Sequence, residues 1–491
     1  MDRPGYLLLV LTAARRAACS ALCAALLGAA LAAGGCYRAA ISDNRDEAFN
    51  QGVEAFQNGD YARAASAAWE YLKGGTKTDP LHDRALKLLA ESAERMGLTY
   101  AASLWYLDIA ESRRNPELVP AAMRALERIV TGGAHDHDVL VGGFIATADL
   151  SRLPPDVQPF VDFEQGLTSL KQGHEDWTTG HFAQIPPGSR YFHRARYTDA
   201  VRLVARGDLE GAKARIRDLL AEKDLPVELE IKARRSLARL HFEGGEYRKA
   251  LEQYEALKQL APGDPELVLE MAWASFHLND IQRALGLLIA LDAPVYRDLI
   301  APERFLLEAL CLQRLCQFDL SRRAAVRLRE RHGRAIDDIY SGRPLMESED
   351  LRAAARLKSG GPPSTKLSKL VLREKRSLDR LSERLSPDLA KTLSGIYAAG
   401  VNEAARREAG ELKRGVAQVA RELLDAEEGV RLLLHELSVA LQRGQRRAEG
   451  LGAGREAADS AAHVVRYRFD GEFWTDEIDD LLVLVEDRCV Y

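Results

Sequence analysis

The chain has 491 residues, enough for several ordinary domains or for one long repeat array with appendages. Hydrophobic residues make up 46% and charged residues 29%, so a sizeable core can be buried, and the palette is that of long helices. A net charge of −5, spread over 68 basic and 73 acidic residues, argues against a surface built for polyanions, so no nucleic-acid partner is expected.

At the N-terminus, Arg3, Arg15 and Arg16 precede an apolar run from Ala17 to Ala33, a positive segment and then a hydrophobic one of secretory length. The run reaches Ala33-Gly34-Gly35-Cys36. Small residues before a cysteine resemble the bacterial lipobox, in which that cysteine is acylated and becomes the first mature residue. Here Ala33 stands where the lipobox prefers Leu. The expectation is a signal peptide over 1–35 and lipid attachment at Cys36, against the rivals of an uncleaved anchor or ordinary signal-peptidase cleavage. Tyr37 rather than Asp follows the cysteine, which by the same resemblance implies the outer membrane, facing the periplasm. An inner-membrane anchor or a soluble periplasmic chain is the alternative.

Beyond the leader the sequence is periodic. Gly245-Glu246-Tyr247, then Ala250, Tyr254, Leu257 and Pro262, fits the second half of a tetratricopeptide (TPR) motif. Asn279-Asp280-Ile281 with Ala284, Leu288 and Leu291 repeats it, as does Gly207-Asp208-Leu209 with Ala212, Ile216 and Leu219; Gly173 marks another turn. Gly or Asn lets the chain reverse tightly between two helices, and the small Ala lets those helices approach closely. Gly52, Ala55, Gly59-Asp60-Tyr61 and Ala64, then Ala90, Ala93, Gly97, Ala102, Tyr106 and Ile109, predict an N-terminal pair over 36–114. A degenerate helical connector over 115–158 leads into the main array, 159–335, whose last repeat uses Ala309, Cys316-Gln317-Phe318 and Ala325.

Gly342, Pro344 and Gly360-Gly361-Pro362-Pro363 predict a linker over 336–365. From 366 to 450 the period changes. Leu412, Val416, Val419, Leu423, Ala426, Val430, Leu433, Leu437 and Ala440 form a heptad seam, with a shorter partner at Leu367, Val371, Leu378, Leu381 and Leu385. The expectation is an antiparallel helical hairpin; homodimerisation through the same coiled-coil seam is the rival. The fold is therefore all-α: a TPR superhelix followed by a long helical hairpin. The last segment, 451–491, is aromatic and acidic, with Tyr467, Phe469, Phe473 and Trp474 around Asp470-Gly471.

Cys19 and Cys23 lie in the presumed signal. Cys311 and Cys316 are five apart on a helix and point in different directions, so they should not bridge each other. For the remaining cysteines buried free thiols are expected over a long-range disulfide.

No nucleotide-binding glycine loop, hydrolase elbow or zinc-protease motif occurs, so catalysis has no support and no cofactor is expected. His135-Asp136-His137-Asp138 has metal-ligand residue types but no third ligand nearby, and reads as a polar loop rather than a metal site. A peptide groove is the sharper candidate. In TPR arrays the first helix of each hairpin lines a concave surface, and counting from the turns places Arg194, Tyr197, Lys232, Arg235, Arg239, Trp273, Phe276, His277 and Arg314 there. Cations beside aromatic rings suit an acidic or aromatic peptide; the plainer reading is a set of solvated helix faces. The Asn/Lys set of TPR clamps that grip a terminal carboxylate is missing.

The export signal, the repeats and the tail Phe469-Asp470-Gly471-Glu472-Phe473-Trp474-Thr475-Asp476-Glu477 followed by Cys489 together resemble TPR lipoproteins of deltaproteobacterial envelopes, and the TPR component of the myxobacterial gliding-motility machinery. The resemblance implies a non-enzymatic scaffold joining other envelope proteins. A periplasmic cofactor of a peptidoglycan-synthesis or outer-membrane-assembly complex is the alternative.

Overall fold

A computed structural model describes residues 34–131, 150, 153–293, 301–358, 363–450 and 483–489. Within them the chain is helical. The first four helices are α1 (Gly34–Gln57), α2 (Tyr61–Lys73), α3 (His82–Arg95) and α4 (Thr99–Ser112), followed by α5 (Val119–Thr131). The main array comprises α6 (Gln158–Lys171), α7 (Glu175–Ala183), α8 (Phe192–Ala205), α9 (Leu209–Leu220), α10 (Val227–Glu243), α11 (Tyr247–Leu260), α12 (Pro265–His277), α13 (Ile281–Ala290), α14 (Glu303–Arg314) and α15 (Phe318–Tyr340). Then come α16 (Glu349–Lys358), α17 (Pro363–Leu381) and α18 (Pro387–Gly450). Among the described residues no helix is long and apolar enough to cross a membrane. The presumed signal before Gly34 and the His135–Asp138 cluster lie outside the described residues, and Cys36 is described only as backbone within α1.

The repeat is visible atom by atom. Gly59, Gly97, Gly173, Gly207, Gly245, Asn279 and Cys316 all take positive φ, between 54° and 81°, at the turn inside a hairpin. After each, the next amide bonds back five residues, as in Asp60 N to Ala55 O (2.8 Å), Glu246 N to His241 O (2.8 Å) and Gln317 N to Leu312 O (2.9 Å). This is the helix C-terminal closure that a left-handed residue permits. Asp60, Asp208 and Asp280 then cap the second helix by accepting from Arg63 N, Gly211 N and Arg283 N. Five residues past each turn stands a side chain with 0% exposure: Ala64, Ala102, Thr178, Ala212, Ala250, Ala284 and Ser321. Nothing larger fits where the paired helices touch. The architecture is a stack of TPR-type hairpins.

The C-terminal part corrects several sequence expectations. The segment read as a linker holds the end of α15, a 3-10 turn (Leu345–Glu347) and α16, whose Leu351, Ala354 and Ala355 are buried. The hairpin forms, but α17 pairs with the first part of α18. Leu367, Val371, Leu378 and Leu385 share one core with Leu389, Leu393, Tyr397 and the N-terminal hairpins. The heptad seam does not serve α17 or a second copy. Val416, Val419, Leu423, Ala426, Val430, Leu433 and Leu437 are buried in another core, with α12–α16. A coiled-coil dimer through these residues would have to strip them from that core, so the seam is not the homodimer surface the rival reading required.

Helix α18 is thus a brace about 96 Å long at 1.5 Å per residue. Gly400 lies against Tyr100 of α4 and Gly415 against Ala355 of α16. Those two stations are about 22 Å apart along the helix, so the array curls round until both its ends reach one helix. Residues 405–415 between the stations bury no side chain completely. The middle of the array has a small core of its own, around Ala212, Ile216, Leu219, Ala233 and Leu237, with no residue of α18 in it.

Two buried carboxylates pin the brace. Glu374 of α17, 2% exposed, accepts from Tyr100 N (2.9 Å), Thr99 N (3.1 Å), Thr99 Oγ1 and the Tyr397 hydroxyl (2.7 Å). It supplies the N-terminal cap of α4, whose own Leu98 makes no side-chain cap. Glu427 of α18 accepts from Arg329 Nε (2.9 Å) and Nη2 (2.7 Å) and from Arg431 (3.2 Å), tying α18 to α15.

Candidate functional site

The first helices of successive hairpins present one common face, and a cavity of about 570 Å³ opens on it between α6, α8 and α10. Phe163, Leu167 and Leu229 give it an apolar floor; Arg194, Tyr197 and Lys232 stand around it. The Tyr197 hydroxyl and Ser236 Oγ are 2.9 Å apart, linking α8 to α10. Lys171 adds a third cation and Glu164 and Glu228 two carboxylates, so the lining is mixed in sign with a small basic excess.

Most basic side chains nearby are already neutralised within the protein. Arg196 bonds Glu222 at 2.5 Å, Arg206 bonds Glu175 at 2.6 Å, and the buried Arg202 is held between Glu175 and Asp199. Lys213, 4% exposed at the side chain, sits between Glu210 and Glu246, both at 2.9 Å. The Lys249, Lys213 and His241 donors hold the Glu246 carboxyl well below the usual range. Arg194 and Lys232 differ: both are exposed, and among the described residues neither has an ion-pair partner. Neither is committed to an ion pair, although Glu164 and Glu228 line the same cavity.

The nine residues assigned to the groove therefore fall into three groups. Arg194, Tyr197 and Lys232 meet at the cavity. Arg235 and Arg239 are tied up in ion pairs, although Arg239 stays exposed. Arg235, 19% exposed, bonds Asp264 and Glu266 (3.2 Å), and Arg239 bonds Glu270, with Nε at 2.9 Å. Their acids stand on α12 or at its N-cap, one hairpin further on, so the pairs clamp neighbouring repeats. Burial pushes the Glu270 carboxyl up while Arg239 pulls it back.

Trp273, Phe276, His277 and Arg314 form the third group, and they mostly satisfy one another. His277 stacks on Tyr247 at 4.4 Å and 10°, and Trp273 meets Phe276 edge-on at 6.0 Å. The Arg314 guanidinium lies 5.0 Å from the Phe276 ring centre. Burial, then Arg314, lowers the His277 pKa, so the ring is neutral near pH 7.

Beside Arg314 is a feature the sequence reading set aside. Cys316 and Cys489 form a disulfide across 173 residues, against the expectation of free thiols; among the described residues Cys311 is free and buried. Spacing along the chain carries no information about which turn a distant tail reaches. One signal was available: Cys316 occupies the left-handed turn position held elsewhere by Gly or Asn. Among the described residues no group of three or more His, Cys, Asp or Glu could hold a metal ion.

No protein-family model and no curated relative matches the sequence. Among solved structures the chain is similar to a tetratricopeptide repeat protein from Parabacteroides merdae, at 12% identity over 59% of this chain and 93% of that one, with a TM-score of 0.24. It is similar also to the apo form of RapI (10% identity, 74% and 98% covered, TM-score 0.31) and to TTC0263, a thermophilic TPR protein in Thermus thermophilus (18%, 47% and 99%, TM-score 0.18). At such scores the likeness adds nothing to the hairpin geometry, which stands by itself.

Proposed function

We propose that the chain is an exported, non-enzymatic scaffold whose cavity between α6, α8 and α10 seats an acidic and apolar segment of another envelope protein. The observation that carries this reading is that two cations without ion-pair partners, Arg194 and Lys232, line one cavity above the Phe163–Leu167–Leu229 floor, in an array that pairs many of its other basic groups. A carboxylate between the two cations and an aliphatic or aromatic side chain on the floor would use both halves of the site. Export is supported by the basic and apolar N-terminal pattern and by the long-range disulfide, which belongs to oxidising compartments. Anchoring through an acylated Cys36 in the outer membrane, and service in a complex such as the gliding-motility apparatus, extend the same proposal.

The test uses the mature chain and short fluorescent peptides combining Glu with Phe or Leu. Arg194→Glu with Lys232→Glu should weaken binding roughly 2- to 30-fold, as expected for losing two exposed charge contacts worth about 0.2–1 kcal/mol each. Wild-type affinity should fall with salt, since exposed charges are screened within about 10 Å at 0.1 M. Equal binding by wild type and the double variant at low salt refutes the cavity as the site. For the anchor, Cys36→Ser should move the mature chain from the membrane fraction to the soluble one; an unmodified N-terminus in the wild type contradicts acylation.

A further inference from the structure

Residues 483–489, Val-Leu-Val-Glu-Asp-Arg-Cys, lie extended across the hairpin turns of the last two repeats. Val483 N donates to Gln282 O (3.3 Å) at the start of α13, and Arg488 N donates to Leu315 O (3.0 Å) at the end of α14. Between them Gln317 Nε2, on a residue only 4% exposed, donates to Glu486 O (2.7 Å). Through Glu486 the side chains alternate: Val483 and Val485 pack on the C-terminal core and Leu484 and Glu486 face solvent, with Asp487 and Arg488 exposed after them. An in-and-out pattern bonded through the main chain is how an extended peptide is read by a protein surface. Cys489 completes the contact through its disulfide to Cys316.

Cys316 is the informative residue. Its φ of 54° puts it in the left-handed region, where five of the other six hairpin turns use Gly and one uses Asn. A Cβ is disfavoured there, so cysteine is a poorer turn former than glycine, and the sulfur is what the position gains.

We propose that residues 483–489 are a strap occupying a docking strip, formed by Gln282, Leu315 and Gln317, and that the Cys316–Cys489 bond is its latch. Opening the latch presents the strip to an extended partner segment of the same pattern, alternating aliphatics followed by an acidic pair. The strip is separate from the cavity between α6, α8 and α10, so the two readings stand or fall independently. Opening takes two electrons and two protons from a dithiol. Its thiolate attacks Cys489 Sγ and expels the Cys316 thiolate, which takes up a proton; its second thiol then resolves the mixed disulfide, releasing Cys489 as a thiol and leaving the dithiol oxidised.

Hydrogen exchange on the full mature chain tests this, read at the amides of Val483 and Arg488. In the oxidised protein both should exchange at least tenfold more slowly than after dithiothreitol, or than in Cys316→Gly, which restores the turn residue used elsewhere in the array. Protection at Ala250 should be the same in all three, showing that the array is intact; Cys489→Ser repeats the comparison without touching the turn. A peptide of residues 483–489 carrying Cys489→Ser should then bind Cys316→Gly and not the oxidised chain. Equal strap protection with and without the bond would overturn the latch. Fast exchange in the oxidised chain, or equal peptide binding to both forms, would overturn the strip.

Discussion

Removing the Glu374 carboxylate should detach the brace from the N-terminal hairpins. The group is 2% exposed and takes the amides of Thr99 and Tyr100 and the hydroxyls of Thr99 and Tyr397. In Glu374→Ala the buried Tyr397 hydroxyl and the first amides of α4 lose their acceptor. An unsatisfied buried donor costs about 1–3 kcal/mol, and losing an anion at a helix N-terminus about 0.3–1 kcal/mol more. With two donors left dry and the other amides partly reached by water, the loss is about 3–5 kcal/mol. Glu374→Gln keeps the shape and one acceptor oxygen, and should lose about half as much. Exchange at the α4 and α17 amides, with urea unfolding of the same variants, separates local release from global loss. Burial raises the Glu374 pKa, against lowering contributions from Thr99, Tyr397 and Tyr100. The folded state therefore holds this proton to higher pH than the unfolded one, so the carboxyl's own contribution to stability declines as pH rises from its unfolded pKa through its folded one. Glu374→Gln should abolish that slope. A Glu374→Ala protein within about 0.5 kcal/mol of wild type, with α4 exchange unchanged, would refute the capping role.

Further outcomes follow from the same packing. At Gly400 an added Cβ would lie 2.6 Å from the Tyr100 ring, whereas at Gly410 it meets only Arg414 Nη1 at 3.9 Å; thermal melts should show Gly400→Ala destabilised by about 1–3 kcal/mol and Gly410→Ala stabilised by about 0.5–1 kcal/mol. Ala250, with 0% exposure, should not tolerate Ala250→Arg, because overpacking costs about 1–3 kcal/mol and an unpaired buried charge several more; exchange should rise around α10–α13 while α17 stays protected, and an unchanged melt would mean the repeat contact is misassigned. The Arg45 hydrogen bond holds the Asp79 carboxyl at about 2, below its unfolded value, so this pair's contribution to seating α1 should be fully present above about pH 4 and lost as pH falls toward 2. Exchange at the α1 amides across that range checks it, and Asp79→Asn should remove the pH dependence.

The hairpins were legible because everything that defines one is local. A left-handed residue, an aspartate cap one place later and a small residue five places past the turn lie within one short stretch, so Gly207-Asp208 with Ala212, or Asn279-Asp280 with Ala284, can be read without knowing the neighbours. The same register placed Arg194, Tyr197 and Lys232 on one face, where the structure shows a cavity. The partners of long-range groups were not legible. The heptad stripe from Leu412 to Ala440 shows that an apolar face must be covered, but an α17 hairpin, a second copy or the end of the array would cover it equally well on pattern alone. Only the curl of the stacked hairpins brings α14–α16 to it. That curl accumulates from a small rotation at every repeat, a quantity no single motif contains. It also decides that Arg235 and Arg239 pair with acids of the next hairpin, that Glu374 reaches the bare N-terminus of α4, and that the tail ends where Cys316 can hold it.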